Sequence, residues 1–266
     1  MDHPTFSLFQ QKKSVLATCA LLSFFAGCSI ANETQSWIPQ HHDDPVESRH
    51  LKDLEAALPE RAAVQPAKDR RVLVFSATQK FRHKSVSLGK IALQRLGEKT
   101  GAYTAVVSDD PANFEAAALR QFDAVILLSP TGDFFMPNPN TKDTFSPADW
   151  QQLEKRHERL VNNLIAYVEA GGGLMGIHSA TDACYGHNHY GEMIGGYFAG
   201  HPWNWKSNVT IIVEEPEHPS IKPVFKDRTI LSWLRKFTYT VRNRTLAQII
   251  ASCLVSTQSA VNRSKK

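Results

Sequence analysis

The sequence predicts an α/β fold, an open parallel sheet with helices on both faces, and two observations carry that reading. Residues 72–75, 124–128 and 174–177 are continuous apolar runs, the pattern of strands buried on both sides, not the alternation of a half-exposed sheet. Between them lie long stretches at helical spacing, residues 86–96 and 149–169, so strands and helices alternate as right-handed crossovers require. With 266 residues, 42% hydrophobic and 21% charged, the chain is long enough to bury one sizeable core.

Taken in chain order, residues 1–28 have the layout of a cleavable export signal. Lys12 and Lys13 precede an apolar run over 14–25, then Ala26, Gly27 and Cys28. The run is short for a membrane span. The small residues before Cys28 resemble a bacterial lipobox, with Phe25 departing from the usual aliphatic residue, so Cys28 is the expected lipidation site and the product an exported, membrane-anchored lipoprotein or a periplasmic protein. Residues 29–69 are polar and carry four prolines, which reads as a tether with one short helix over 46–57.

The α/β domain is expected over 70–230. Its strands fall at 72–75, 103–107, 124–128, 174–177 and 209–213, and its helices at 86–96, 113–120, 149–169 and 190–198. Ser146 and Pro147 supply an N-cap and a first-turn proline for the third helix, and Gly171 to Gly173 supply its stop. Cys19 and Cys28 belong to the export segment, which leaves Cys184 and Cys253 and no disulfide framework or CxxC spacing. The tail, 231–266, holds seven Lys or Arg and no acid, while the rest of the chain is net acidic. For an exported protein without interleaved aromatic stacking platforms, nucleic-acid binding is not expected.

Ligands of open parallel sheets bind at the carboxyl ends of the strands, which directs attention to three loops. After the first strand come Arg82, a cation, and His83, an imidazole. After the third, Thr131, Gly132 and Asp133 offer a hydroxyl, a close backbone approach and a carboxylate. After the fourth, Gly176-Ile177-His178-Ser179-Ala180 is a strand-to-helix turn flanked by small residues, the geometry of a nucleophile elbow. The residue presented there is His178, suited to acid or base work, and Asp182 four residues on can orient it or hold a hydroxyl. Tyr190, Tyr185, Trp203 and Trp205 offer platforms for sugar rings. His187, His189, His201 and His218 fall on loops at irregular spacing without an HExxH pattern, so no metal site and no cofactor are assigned.

Val72-Leu73-Val74-Phe75-Ser76 with Phe81-Arg82-His83, Phe122-Asp123-Ala124-Val125 leading to Thr131-Gly132-Asp133, and Tyr167 to Gly173 leading to Gly176-Ile177-His178-Ser179-Ala180 together resemble the ThuA-like (trehalose utilisation) family. Gly195-Gly196-Tyr197-Phe198, His201-Pro202 and Glu217-His218-Pro219 continue the likeness in order. The resemblance implies a flavodoxin-like sheet of the class I glutamine amidotransferase type, with histidine where those enzymes carry the elbow cysteine. It also implies a role in carbohydrate utilisation. His178, His83 and Asp182 are then the expected catalytic groups, and Arg82, Thr131, Gly132, Asp133, Tyr190 and His201 the expected contacts to a carbohydrate or keto-sugar ligand. A non-catalytic carbohydrate-binding or scaffold domain remains the alternative. Near residue 230 the likeness stops where the family has further strands. Codons for Trp233 to Thr238 read two bases on give Ala-Glu-Glu-Ile-Tyr, so a shifted reading frame and the loss of the C-terminal strands are expected for 231–266.

Overall fold

A computed structural model of the chain describes residues 37–201, 208–225, 230–234 and 239–241. The segment read as an export signal, with Cys28, and Trp203, Trp205 and most of the tail lie outside them. Among the described residues, no helix is long and apolar enough to cross a membrane.

After helix α1 (Ser48–Ala57), the chain forms β1 (Arg71–Phe75), α2 (Ser85–Thr100), β2 (Thr104–Val107), α3 (Ala116–Leu119), β3 (Ala124–Leu128), α4 (Pro147–Glu169) and β4 (Gly173–Ile177). The four strands pair in parallel in the order β2-β1-β3-β4, the beginning of the flavodoxin-like order. The apolar runs behave as their composition demands. Leu73, Phe75, Val125 and Leu127 face one way into a core with Leu160, Val161 and Leu164 of α4, and Val72, Val74, Ile126 and Leu128 face the other way against Val86 of α2. α4 opens on the predicted cap, Ser146 Oγ accepting from the Asp149 amide at 3.1 Å with Pro147 following. It ends before Gly171, whose φ of +96° reverses the chain.

Beyond β4 the structure departs from the expected pattern. The predicted helix over 190–198 is α5 (Asn188–Ile194) followed by a strand, β5 (Tyr197–Gly200). Gly195, left-handed at φ +96°, ends the helix early. The predicted fifth strand is β6 (Asn208–Ile212), but it does not join the parallel sheet. After α6 (Lys222–Phe225) it pairs antiparallel with β7 (Ile230–Leu234), and β5 pairs antiparallel with β8 (Tyr239–Val241). Residues beyond 230 thus supply strands to two small sheets. The predicted helix over 113–120 divides into a 3-10 turn, Pro111–Phe114, and α3, because Glu115 between them is extended. β4 is an edge of the four-stranded sheet, and its Met175 is 49% exposed.

The segment read as a tether packs on the domain. Arg156 donates to the Trp37 carbonyl at 2.7 Å. Asp43 accepts from Lys90 at 2.8 Å and pairs with Arg82, which also donates to the Ser76 carbonyl at 2.7 Å. The Thr78 amide donates to His41 Nε2 at 3.1 Å, so that nitrogen must be unprotonated. Burial, followed by the nearby Arg82, holds the His41 pKa below its ordinary 6.5. A folded-state value below the unfolded one means that this contact contributes fully above pH 6.5 and is lost as the pH falls through the folded value. The Asp43 carboxyl, whose burial is outweighed by Lys90 and Arg82, is held below 3.8 and keeps its charge in that window. We therefore expect the Thr78 amide, corrected for intrinsic exchange, to lose hydrogen-exchange protection as the pH is lowered from about 6.5 towards about 4, while the Asp43 pairs persist. Constant protection across that range would refute the dependence.

Candidate functional site

Three loops at the carboxyl edge of the sheet are tied into one unit. Thr78 bridges Thr131, and Gly132 bridges Ala183. The Gln79 amide donates to the Thr131 carbonyl at 2.9 Å, Thr131 Oγ1 to the Phe81 carbonyl at 2.8 Å, and the Gly132 amide to the Asp182 carbonyl at 2.9 Å. Thr131 is 2% exposed and its hydroxyl is committed to this framework, so Thr131 and Gly132 hold the loops together and do not line a cavity.

On one side of this seam lies a cavity of about 300 Å³ lined by Phe81, His83, His178, Ser179, Asp182, Phe198 and His201. Four of the predicted residues thus meet: His83, His178, Asp182 and His201. His178 follows β4 directly and has φ +54°, a left-handed conformation that is unusual for a residue with a side chain. The turn is tight because Gly176 lacks a side chain. A Cβ there would lie 2.7 Å from Ile194 Cδ1 and 3.0 Å from Ala180 Cβ. The His178 ring packs edge-on to that of His83, centroids 4.4 Å apart, and His83 packs against Phe81 at 4.8 Å. Phe81 is 66% exposed and forms an apolar lip. His201 joins the cavity beside Phe198, ring centroids 4.8 Å apart. Tyr185 Oη lies 2.8 Å from Asp182 Oδ1 and 3.0 Å from the Phe198 carbonyl, a hydroxyl with one proton between two acceptors. Burial, then the Asp182 carboxylate, pushes the Tyr185 pKa up, so this phenol stays protonated.

Two predicted contacts play other parts. Tyr190 is fully buried, and its hydroxyl donates to the Ala180 carbonyl at 2.7 Å, supporting the elbow from beneath. Arg82 points to Asp43, Asp109 and the Ser76 carbonyl. Ser179, treated in the sequence only as a small residue, is buried against the cavity with a hydroxyl that has no hydrogen-bond partner among the described residues. An orphaned hydroxyl beside an elbow is poised to bind a ligand oxygen. The small-residue pattern around His178 was the signal that could have found it.

Asp133 lies on the other side of the seam. With His157 and His187 it lines a second, open cavity of about 570 Å³. Cys184, fully buried, sits beside them, and ligand atoms of Asp133, His157 and Cys184 all lie within 4.8 Å of one another. The His157 imidazole holds the Asp133 carboxyl below its ordinary value against the opposing effect of burial. The four histidines noted in the sequence do not form a cluster. His187 is near His157, His189 pairs with Glu192 on the surface, His201 is in the first cavity, and His218 Nδ1 accepts from the Ser220 amide.

Comparison with known proteins bears on what this arrangement serves. The family model ThuA, described as trehalose utilisation, matches residues 71–261. It runs on past residue 230, where the sequence reading closes the domain. Among solved structures, a ThuA-like protein from Bacteroides uniformis ATCC 8492 is similar, with 18% identity and a TM-score of 0.45 over 70% of this chain. The chain spans 66% of that structure's length. No curated protein matches.

Proposed function

Because the chain belongs to the ThuA (trehalose utilisation) family, we propose that it acts in carbohydrate utilisation on a sugar or keto-sugar bound over His178, with that imidazole taking up and returning a proton. The observation that carries this reading is the elbow itself: His178 held at φ +54° at a strand end, against a second imidazole, in a cavity with an orphaned hydroxyl. A carbon next to a ketone is acidic because its electron pair can move onto the carbonyl oxygen. In this scheme His178 accepts the proton from that carbon, and the developing oxyanion takes hydrogen bonds from the His83 N–H and Ser179 Oγ. Asp182, within reach of the Tyr185 hydroxyl, accepts from a sugar hydroxyl, and Phe81 and Phe198 offer apolar faces to the ring. Return of the proton from His178 to carbon closes the cycle.

The test is hydrogen–deuterium exchange in heavy water at the carbon beside the ketone, followed by proton NMR with keto derivatives of glucose and trehalose. His178→Gln is expected to slow exchange by about 10²–10⁴-fold, the range for a positioned acid or base. Sugar binding should survive in the variant. Exchange as fast in His178→Gln as in the parent protein would remove the assigned role, and binding by the parent protein without exchange would favour the non-catalytic carbohydrate-binding alternative.

A further inference from the structure

We infer that Asp133, His157 and Cys184 form a binding site for a zinc-class divalent metal ion, separate from the cavity over His178. Three parts of the chain converge here: the loop after β3, the middle of α4, and the turn that follows the elbow. Their ligand atoms all lie within 4.8 Å of one another. A tetrahedral ion with sulfur at about 2.3 Å and nitrogen or oxygen at about 2.0–2.2 Å needs those atoms roughly 3.3–3.6 Å apart, a contraction of about one ångström. A thiolate, an imidazole and a carboxylate are together the ligand set that favours zinc over magnesium or calcium.

The second observation is His157 itself. It is 6% exposed, and among the described residues neither ring nitrogen has a hydrogen-bond partner. Nε2 approaches Asp133 Oδ1 at 3.5 Å, an ion-pair distance too long for a good hydrogen bond. A buried imidazole left in this condition costs free energy, and buried polar groups are rarely left so without a ligand or a functional reason. An ion bound between His157 and Asp133 satisfies the imidazole. It also balances charge, since one thiolate and one carboxylate neutralise one divalent cation.

The surroundings fit this role. Cys184 is fully buried at φ +52°, and its backbone is fixed by an amide donating to the Gly132 carbonyl at 3.2 Å and by a carbonyl accepting from Tyr197 Oη at 3.0 Å. Burial and then the neighbouring Asp133 push the free thiol well above its ordinary pKa, which makes it a poor nucleophile. Coordination by a metal, in contrast, removes the thiol proton outright. Asp133, His157 and His187 open on the second cavity, whose wall also carries Glu154, Glu158, Lys80 and Lys142, giving an ion a route in from solvent. His187, with its ring centroid 5.1 Å from that of His157, is placed to complete the coordination.

The test uses the full chain, stripped with chelator, dialysed, and titrated with cobalt(II) as a spectroscopic substitute for zinc. One equivalent is expected to produce a thiolate-to-cobalt charge-transfer band with tetrahedral ligand-field bands, which zinc then bleaches. Zinc is also expected to raise the melting temperature, as any ligand of the folded state does. Cys184→Ser should abolish the charge-transfer band, and Asp133→Asn and His157→Gln should each weaken binding by more than about tenfold, a loss that even outer partners can cause. Far-ultraviolet circular dichroism checks that each variant folds, and the titration of the parent protein stands without the variants. No charge-transfer band in the parent protein overturns the site. A band that persists in Cys184→Ser, placing the ion on another cysteine, overturns it equally.

Discussion

Replacing Phe75 by alanine is expected to destabilise the protein by about 3–5 kcal/mol, the range for deleting a buried aromatic ring. Phe75 ends β1 and is fully buried. Its ring meets those of Phe114 at 4.8 Å, Phe135 at 5.5 Å and Phe134 at 5.7 Å, and Phe134 and Phe135 also contact each other at 4.6 Å. Removing it takes away a partner common to the other three, of which Phe135 alone also touches the remaining two. Neighbouring backbone can refill little of the space, since β1 is paired on both sides. With domain stabilities of roughly 5–15 kcal/mol, the loss is a large part of the total. It should appear as a fall in the urea midpoint with the slope preserved. Phe75→Leu, which keeps much of the volume, should lose less than Phe75→Ala. A shift below about 1 kcal/mol for the alanine variant would mean that the aromatic cluster is not the centre of this core. Phe134 and Phe135 follow Asp133 directly, so the same cavity should loosen the second site before the cavity over His178.

That cluster also shows what was legible in the sequence. The parallel strands could be read because each is buried on both faces and therefore apolar at every position, and β3 falls at the predicted residues. The partners of a strand leave no such mark. β6 was read as a further strand in the same series, yet it pairs antiparallel with β7, because pairing depends on where the chain returns and not on local composition. The elbow was legible because small residues flank His178, and packing explains why: a side chain on Gly176 would meet Ile194 and Ala180, and Ala180 is itself buried. Asp133, His157 and Cys184 were not legible as a set, since their separations in sequence match no ligand spacing. One hint was available. His157 lies on the face of α4 that carries Leu153, Leu160, Val161 and Leu164, and a histidine on an otherwise apolar inward face calls for a reason to be there.

Replacing His178 by glycine is expected to stabilise the protein while removing the proton transfer proposed for it, a pairing that few substitutions give. A side chain in the left-handed region costs roughly 1–2 kcal/mol, and glycine relieves that strain. The more flexible unfolded chain takes back about 0.4–1 kcal/mol. The net gain is then between about zero and about 1.6 kcal/mol, offset in part by the lost contact with the His83 ring. His178→Ala, which also lacks the imidazole but keeps a Cβ, should show no such gain, so the difference between the two variants isolates the strain. Both should slow exchange of a keto-sugar by the factor expected of His178→Gln. Among the described residues the three non-glycine positions with positive φ are Ser129, His178 and Cys184, and all lie in loops at the carboxyl edge of the sheet. Ser129 lines neither cavity, which makes Ser129→Gly the calibration for strain relief alone. Strain of this kind persists where the rest of the structure over-determines it, and here Tyr190 beneath the elbow and the Gly132 to Asp182 bond beside it supply the constraint. If His178→Gly melts below His178→Ala, as glycine's more flexible unfolded chain alone would cause, the elbow is not strained, and the conformation of His178 ceases to argue for its use.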